Sequence, residues 1–265
     1  KKLAILSVRG ILTDEQKTTL IEDAVKYNCK IIAITETHIP DTELEEEISI
    51  INEDNTINNY ILYSANKEGN TNSTQGVGFL IEKSLSPKFQ RISDRIVTAK
   101  IELKKRNISL IAAYAPTLPM SKANPSISEA FYETLDTTIS KTAKRDFLFI
   151  LGDFKAKTGS LHHSFPNEIG AYGKGHHNEN GIALAELCVQ NNLYVTNTMF
   201  MHRLSHRTTW TAPMRHFATK DGTQRRNPIR NMIDYIITRK NIKHTITNAR
   251  SYSGIITDTD HKLVI

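Results

Sequence analysis

Apolar positions come in short β-branched runs separated by amphipathic stretches, an alternation that predicts an α/β chain. Leu3 to Val8 reads as a buried strand. Thr13, answered by Gln16 three residues later, reads as a capping box that opens a helix burying Leu20, Ile21, Ala24 and Val25. Cys29 to Thr35 follows as a second strand, parallel to the first through that helical crossover. Asn52 to Asn59 is polar and turn-like, Tyr60 to Ala65 is strand-like, and Asn66 to Gln75 is a Gly/Asn/Ser/Thr loop before a strand from Val77 to Ile81. Ile96 to Leu103 and Ile108 to Tyr114, joined by Lys104-Lys105-Arg106-Asn107, predict a hairpin.

Pro116, Pro119 and Pro125 mark a loop, after which Ser126 and Glu129 predict a second capping box and a helix burying Ile127, Phe131, Leu135 and Ile139. Phe147 to Leu151 returns to strand. Thr158 to Asn180, rich in Gly, His and Asn, predicts a long loop, and a helix through Ile182, Leu184, Ala185 and Cys188 starts near Asn180. Strands are expected at Tyr194 to Thr196, Arg207 to Thr211 and Met232 to Thr238, with a loop at Pro213 to Pro228. No repeat of fixed period is visible. Strand-rich halves on either side of the Ser126 helix suit two packed sheets.

With 265 residues and 39% hydrophobic content, the chain has enough apolar material for one packed domain. It carries 34 Lys and Arg against 28 Asp and Glu, a net charge of +6, which favours a polyanionic partner. Arg203, Arg207, Arg215, Lys220, Arg225, Arg226, Arg230, Arg239, Lys240 and Lys243 crowd the last third beside His206, Trp210 and His216, as a nucleic-acid face or a solvated basic surface. Cys29 and Cys188 are far apart and lack metal spacing, which predicts no disulfide framework and a reducing compartment. No stretch approaches the roughly 20 apolar residues of a membrane span, and no secretory-type leader is evident. The chain begins at Lys1 and stops just after the His261 segment, as expected of a module within a longer polypeptide.

Isolated carboxylates stand at the ends of several predicted strands. Glu36 follows the apolar run Ile31 to Ile34, where it is placed to ligate a hard cation or to cap the next segment. Asp153 follows Gly152, whose freedom predicts a tight turn aiming the acid above the sheet to orient or deprotonate a water. His261, beside Asp260, can donate to a phosphoryl oxygen, with Asp234 holding the ring as imidazolium. Carboxylates at separated strand ends suit a metal and phosphate site. The pairs His162-His163 and His176-His177, and the spaced His202 and His206, lack a convincing zinc pattern.

Taken in order, Ile34-Thr35-Glu36-Thr37-His38, Ala113-Tyr114-Ala115-Pro116, Leu151-Gly152-Asp153-Phe154, Thr209-Trp210, Arg230 to Tyr235 and Asp258 to Val264 resemble the endonuclease/exonuclease/phosphatase superfamily. The likeness runs almost end to end. It is strongest to the apurinic-type endonuclease domain of non-LTR (LINE) retrotransposons and their craniofacial-development-protein-like relatives, which Gly173-Lys174, Asn178-Glu179-Asn180-Gly181 and Val195 to Phe200 also resemble.

The resemblance implies a four-layered α/β sandwich, with two mixed β-sheets flanked by helices. It also implies a Mg²⁺-dependent DNA endonuclease, with Mn²⁺ as a substitute, that nicks double-stranded target DNA and leaves a 3′ hydroxyl for target-primed reverse transcription. A reverse transcriptase in the same polypeptide, a nuclear site of action and no membrane partner go with it. By motif, Glu36 would bind the metal with Asp260 supporting it, and Asp153 would orient or activate water. Tyr114 would contact the phosphate or metal, and His261, oriented by Asp234, would bind the scissile phosphate. Thr209 and Arg230 would face DNA.

Two departures from the family pattern cover three positions. Ser7 stands where an Asn usually ends the first strand, with Arg9 two residues later where Asn or Asp is common, and Lys155 replaces the Asn two residues after the Gly-Asp aspartate. These three would lie on the substrate side. Losing one positioned polar contact costs on the order of 2.7 to 4 kcal/mol, or about 10²- to 10³-fold, in such a site. The departures therefore admit a catalytically impaired domain that retains DNA or protein binding. A phosphatase acting on inositol phosphates or lipids is a third reading within the superfamily, without supporting motifs here.

Overall fold

The computed structural model describes residues 2–40, 42–52, 54–67, 69, 75–117, 124–213 and 228–265. Alternating side-chain directions on two sheets build the core. A seven-stranded sheet contains β1 (Lys2–Ser7), β2 (Cys29–Thr35), β3 (Glu43–Ile51), β4 (Ile57–Ala65), β5 (Val77–Glu82), β14 (Ser251–Tyr252) and β15 (Leu263–Val264), in the order β14-β15-β1-β2-β5-β4-β3. A six-stranded sheet contains β6 (Lys88–Arg91), β7 (Ile96–Ile101), β8 (Ile108–Tyr114), β9 (Phe147–Asp153), β10 (Leu193–Val195) and β13 (Asp234–Arg239), in the order β10-β13-β9-β8-β7-β6. β11 (Trp210–Thr211) and β12 (Arg230–Asn231) form a small third pair.

In β1 and β2, Ile5, Ile31 and Ala33 point between the sheets to meet Val97, Leu110, Ala112 and Leu151, while Ala4, Leu6, Ile32 and Ile34 point outward. The outward set is covered by Leu20, Ile21 and Ala24 of helix α1 (Asp14–Lys26). On the far side of the second sheet, Ile111, Ala113, Leu148 and Ile150 are covered by Phe131, Leu135 and Ile139 of α2 (Pro125–Lys141) and by Leu184, Ala185 and Cys188 of α3 (Glu179–Gln190). The order helix, sheet, sheet, helices is the expected four-layered sandwich. Both sheets are mixed, because β1–β2 and β8–β9 are parallel amid antiparallel neighbours.

The Thr13 capping box forms as expected: Gln16 N–H donates to Thr13 Oγ1 (3.2 Å) and Gln16 Oε1 accepts from Thr13 N–H (3.1 Å). The second expected capping box does not form. Asn124 is the N-cap of α2 and Pro125, with its φ preset, takes the first turn, leaving Ser126 inside the helix. Arg207 to Thr211 is strand only at its last two residues, and the strand expected at Met232 to Thr238 starts at Asp234 as β13, with Met232-Ile233 separating it from β12. Cys29 and Cys188 are buried free thiols. Among the described residues no helix is long and apolar enough to cross a membrane.

Candidate active site

Register brings three of the expected residues into one row. Tyr114, the last residue of β8, lies opposite Asp153, the last residue of β9, which in turn lies opposite Asp234, the first residue of β13. Gly152 allows this row for a reason other than a turn: it is part of β9, where a Cβ would sit 2.0 Å from the Ala113 carbonyl oxygen of β8. The other sheet contributes Glu36, just past the end of β2, and His261 comes from the segment leading into β15. The site therefore lies at the carboxyl ends of the two parallel strand pairs, where open α/β sheets form crevices.

His261 and Asp234 form a buried pair, 4% and 0% exposed, with Nδ1–H donating to both carboxylate oxygens of Asp234 at 3.1 and 2.9 Å. Burial pulls the imidazole pKa down, but the charge and hydrogen bond of Asp234, with Asp153 behind, outweigh it and hold the value at about 9. The ring is thus an imidazolium at neutral pH. Its Nε2 lies 3.9 Å from Asp153 Oδ2. Thr209, Asn197 and Asp23 hold this pair in place. Thr209 Oγ1 accepts from the backbone N–H groups of Ile233 (3.0 Å) and Asp234 (3.1 Å), and Asn197 Nδ2 donates to Asp234 O (3.1 Å). The buried Asp23 carboxylate of α1 accepts from Ile256 and Thr257, anchoring the loop that leads to His261.

Glu36 Oε1 accepts from the Tyr114 hydroxyl at 3.0 Å and from the Lys155 ammonium at 3.1 Å. The same ammonium lies 2.5 Å from Asp153 Oδ2, bridging the two acids. Despite that short ion pair, Oδ2 receives no aligned hydrogen bond, so the contact is one of charge. Burial opposes the charge on Lys155, but Asp153, Tyr114 and Glu36 together outweigh it and hold the ammonium pKa above its ordinary value. Burial pushes the Asp153 carboxyl up, with Lys155 pulling the other way. Tyr114 is also pushed up, chiefly by burial, and stays a phenol. Arg9, Glu36, His38 and Lys155 all have positive φ (55°, 57°, 57° and 47°), a conformation uncommon outside glycine and asparagine. These residues lie just past the ends of β1, β2 and β9.

One ligand atom each from Glu36, Asp153 and His261 lie within 4.8 Å of one another. Two carboxylates, one with an oxygen lacking an aligned donor, suit a hard divalent cation such as Mg²⁺ or Mn²⁺, and an ammonium already stands in for positive charge between them. The donor set fits such a cation. Asp260 stands apart from that group, because its carboxylate accepts from the Trp210 indole N–H (3.0 Å) and lies 3.6 Å from Arg9 Nε. Ser7 and Thr209, expected on the substrate side, are fully buried and 1% exposed, which turns them from contact residues into supports. Ser7 carbonyl accepts from Thr259 (2.7 Å). Arg9 and Arg230 remain exposed.

A cleft of about 560 Å³ adjoins the acids, lined among others by Lys155, Lys157, Lys174, Trp210 and Asn231. Burial, then the charges of Arg230, Lys157 and Lys262, push the Lys174 ammonium below its ordinary pKa, the mark of crowded like charges that an anion would relieve. This patch differs from the basic run expected in the last third. Arg239 donates to Thr142, Ala143 and Asp146, Lys240 pairs with Glu168, and Arg207 donates to Tyr172 O. Arg215, His216, Lys220, Arg225 and Arg226 lie outside the described residues, as do Pro119 and most of the expected loops at 66–75 and 213–228. Sequence reasoning missed Lys157 and Asp23; Lys174, Asn178, Asn180, Asn197 and Lys262 lay within motifs that carried a signal but were given no role. Asn178 caps α3 and donates to Lys155 O (3.0 Å), and Asn180 donates to the carbonyls of Pro116 and Phe154 (3.1 and 3.3 Å), fixing the loops after β8 and β9.

No protein-family model matches the chain. It is 36% identical to craniofacial development protein 2 of Bos taurus over 173 residues, covering 65% of this chain and 26% of that protein. It is 31% identical to craniofacial development protein 2 of Tragulus javanicus over 214 residues, covering 80% and 34%. The chain thus spans between about a quarter and a third of the length of these curated relatives. Among solved structures, it superposes on the endonuclease domain of TRAS1, a telomere-specific non-LTR retrotransposon, with a TM-score of 0.61 and 13% identity over 99% of this chain and 95% of that one. The AP endonuclease LMAP of Leishmania major gives 0.64 and 10% over 99% and 85%, and an endonuclease/exonuclease/phosphatase family protein of Leptotrichia buccalis gives 0.63 and 14% over 99% and 97%.

Proposed function

From a chain that carries the endonuclease/exonuclease/phosphatase fold, we propose a metal-dependent DNA endonuclease that hydrolyses one strand of a DNA duplex and leaves a 3′ hydroxyl. The observation that carries this reading is the charged His261–Asp234 pair, buried beside Asp153 and Glu36 at the end of a cleft rimmed by cations. Glu36 and Asp153 would hold Mg²⁺ or Mn²⁺, which when bound supplies charge neutralisation at the phosphate and a more acidic water.

The chain's own groups do the rest. His261 keeps a proton on Nε2 and donates it in a hydrogen bond to a phosphoryl oxygen, where charge grows during attack. Asp234 keeps that proton in place by fixing the ring through Nδ1. Asp153 accepts from the attacking water and orients it. Tyr114 holds Glu36 through its phenol. Lys157, Lys174, Arg230 and Lys262 take the flanking phosphates, which position the duplex without reading its sequence.

In biological terms the reading is a nick that primes reverse transcription of a LINE-type element in the nucleus, with the reverse transcriptase in the same polypeptide. Lys155 on the acid pair favours a second reading, a domain that binds DNA or a protein partner with little cleavage. Conversion of supercoiled plasmid to open circle in Mg²⁺, compared with EDTA and with Glu36→Ala and His261→Ala, separates the two. Nicking lost in all three controls supports the endonuclease; a folded, DNA-binding protein that never nicks supports the second reading.

A further inference from the structure

The Lys155 ammonium occupies the place between Glu36 and Asp153 that a hard cation would use, 3.1 and 2.5 Å from their oxygens, with its side chain only 18% exposed. It also lies 5.2 Å from the centre of the Tyr114 ring, a third contact favouring a cation there. The same lysine lines the basic cleft beside Lys157 and Lys174. It therefore has two anionic surroundings within reach of one flexible stem: the acid pair, and whatever phosphate enters the cleft.

We propose that Lys155 is the resident cation of the acid pair, so that a divalent metal enters only by displacing its ammonium, and that phosphate in the cleft promotes entry by receiving the displaced charge. The proposal rests on the reading of Glu36 and Asp153 as metal-holding residues. An ammonium and a divalent ion cannot share these two carboxylates, because like charges a few ångströms apart in a partly dry site repel strongly. Metal affinity in the free protein is therefore set by competition with an internal cation. Metal and DNA backbone then bind cooperatively, each removing an obstacle to the other.

The backbone makes the lysine removable. At φ 47° the left-handed conformation of residue 155 suits Asn or Gly better than Lys, so Lys155→Asn and Lys155→Gly relieve strain rather than add it. The two differ usefully, since Asn adds a carbonyl oxygen that can ligate and Gly adds nothing. Free Mn²⁺ is followed by electron paramagnetic resonance in metal-stripped protein without DNA, with folding checked by circular dichroism. Both variants should bind Mn²⁺ at least about tenfold more tightly than wild type, and Glu36→Gln in either background should abolish the gain. A short phosphodiester oligonucleotide should tighten Mn²⁺ binding to wild type and have little effect on Lys155→Gly.

Equal affinities for wild type and Lys155→Gly would overturn the proposal, as would a gain confined to Lys155→Asn, which would mark an added ligand instead of a removed competitor. A gain that survives Glu36→Gln would place the metal elsewhere and overturn it too. Because binding is read without turnover, failure of both proteins to nick plasmid would sink the endonuclease reading and leave this result standing.

Discussion

Replacing Asp234 with Asn removes the charge that keeps His261 protonated while leaving an amide oxygen of nearly the same size to accept from Nδ1. The folded-state pKa of His261 is about 9 against an ordinary 6.5, and the pair is almost wholly buried. That difference corresponds to about 3 kcal/mol of preference for the imidazolium in the folded protein. A raised folded pKa contributes stability that is fully present below about pH 6.5 and is lost as pH rises through about 9. Asp234→Asn should therefore cost about 4 kcal/mol at pH 6, where the lost charge and the changed hydrogen bond add, and about 1 kcal/mol at pH 10, where only the changed hydrogen bond remains. Urea unfolding of both proteins at several pH values, in EDTA, gives the difference directly. Imidazole resonances followed by NMR should show the variant's His261 titrating below 6.5, because burial would then act almost unopposed. A stability difference that does not change with pH, or an unchanged His261 pKa, would refute the assignment of Asp234 as the source of the charge.

Two further outcomes follow from the geometry. Thr209→Val is nearly isosteric but leaves the buried N–H groups of Ile233 and Asp234 without their acceptor. It should lower unfolding free energy by about 3 kcal/mol, and a loss under about 1 kcal/mol would show that the hydroxyl is dispensable. The double variant Lys157→Ala, Lys174→Ala should weaken binding of unrelated duplexes equally, and reduce the slope of log affinity against log salt by about 2. An unchanged slope would remove this cleft from the DNA path.

Local chemistry explains what the sequence made readable. The Thr13–Gln16 box acts within four residues and was legible, whereas Ser126 and Glu129 carried the same signature but lost to Asn124-Pro125, which starts the helix earlier. β3 was not recognised, because four glutamates in Glu43–Ile51 hide the alternation of an edge strand, one of them pairing with Lys17 of α1. Glu36, Asp153, Asp234 and His261 were legible as motifs. Their assembly depends on the register Tyr114–Asp153–Asp234 across three strands, which no single segment encodes. Lys155 was visible as a departure at one position. Only the fold shows that its ammonium reaches a carboxylate on the other sheet, 119 residues away in the chain.

The most direct test of the account is the chemistry of the nick itself. Supercoiled plasmid is incubated with wild type and with His261→Ala in Mg²⁺, and the products are offered to a DNA polymerase without prior end repair. The account predicts open circles that the polymerase extends at once from a 3′ hydroxyl, and neither nick nor extension with His261→Ala. Nicks that persist in His261→Ala, or that need a phosphatase before extension, would contradict it, as would a folded, DNA-binding wild type that leaves the plasmid supercoiled.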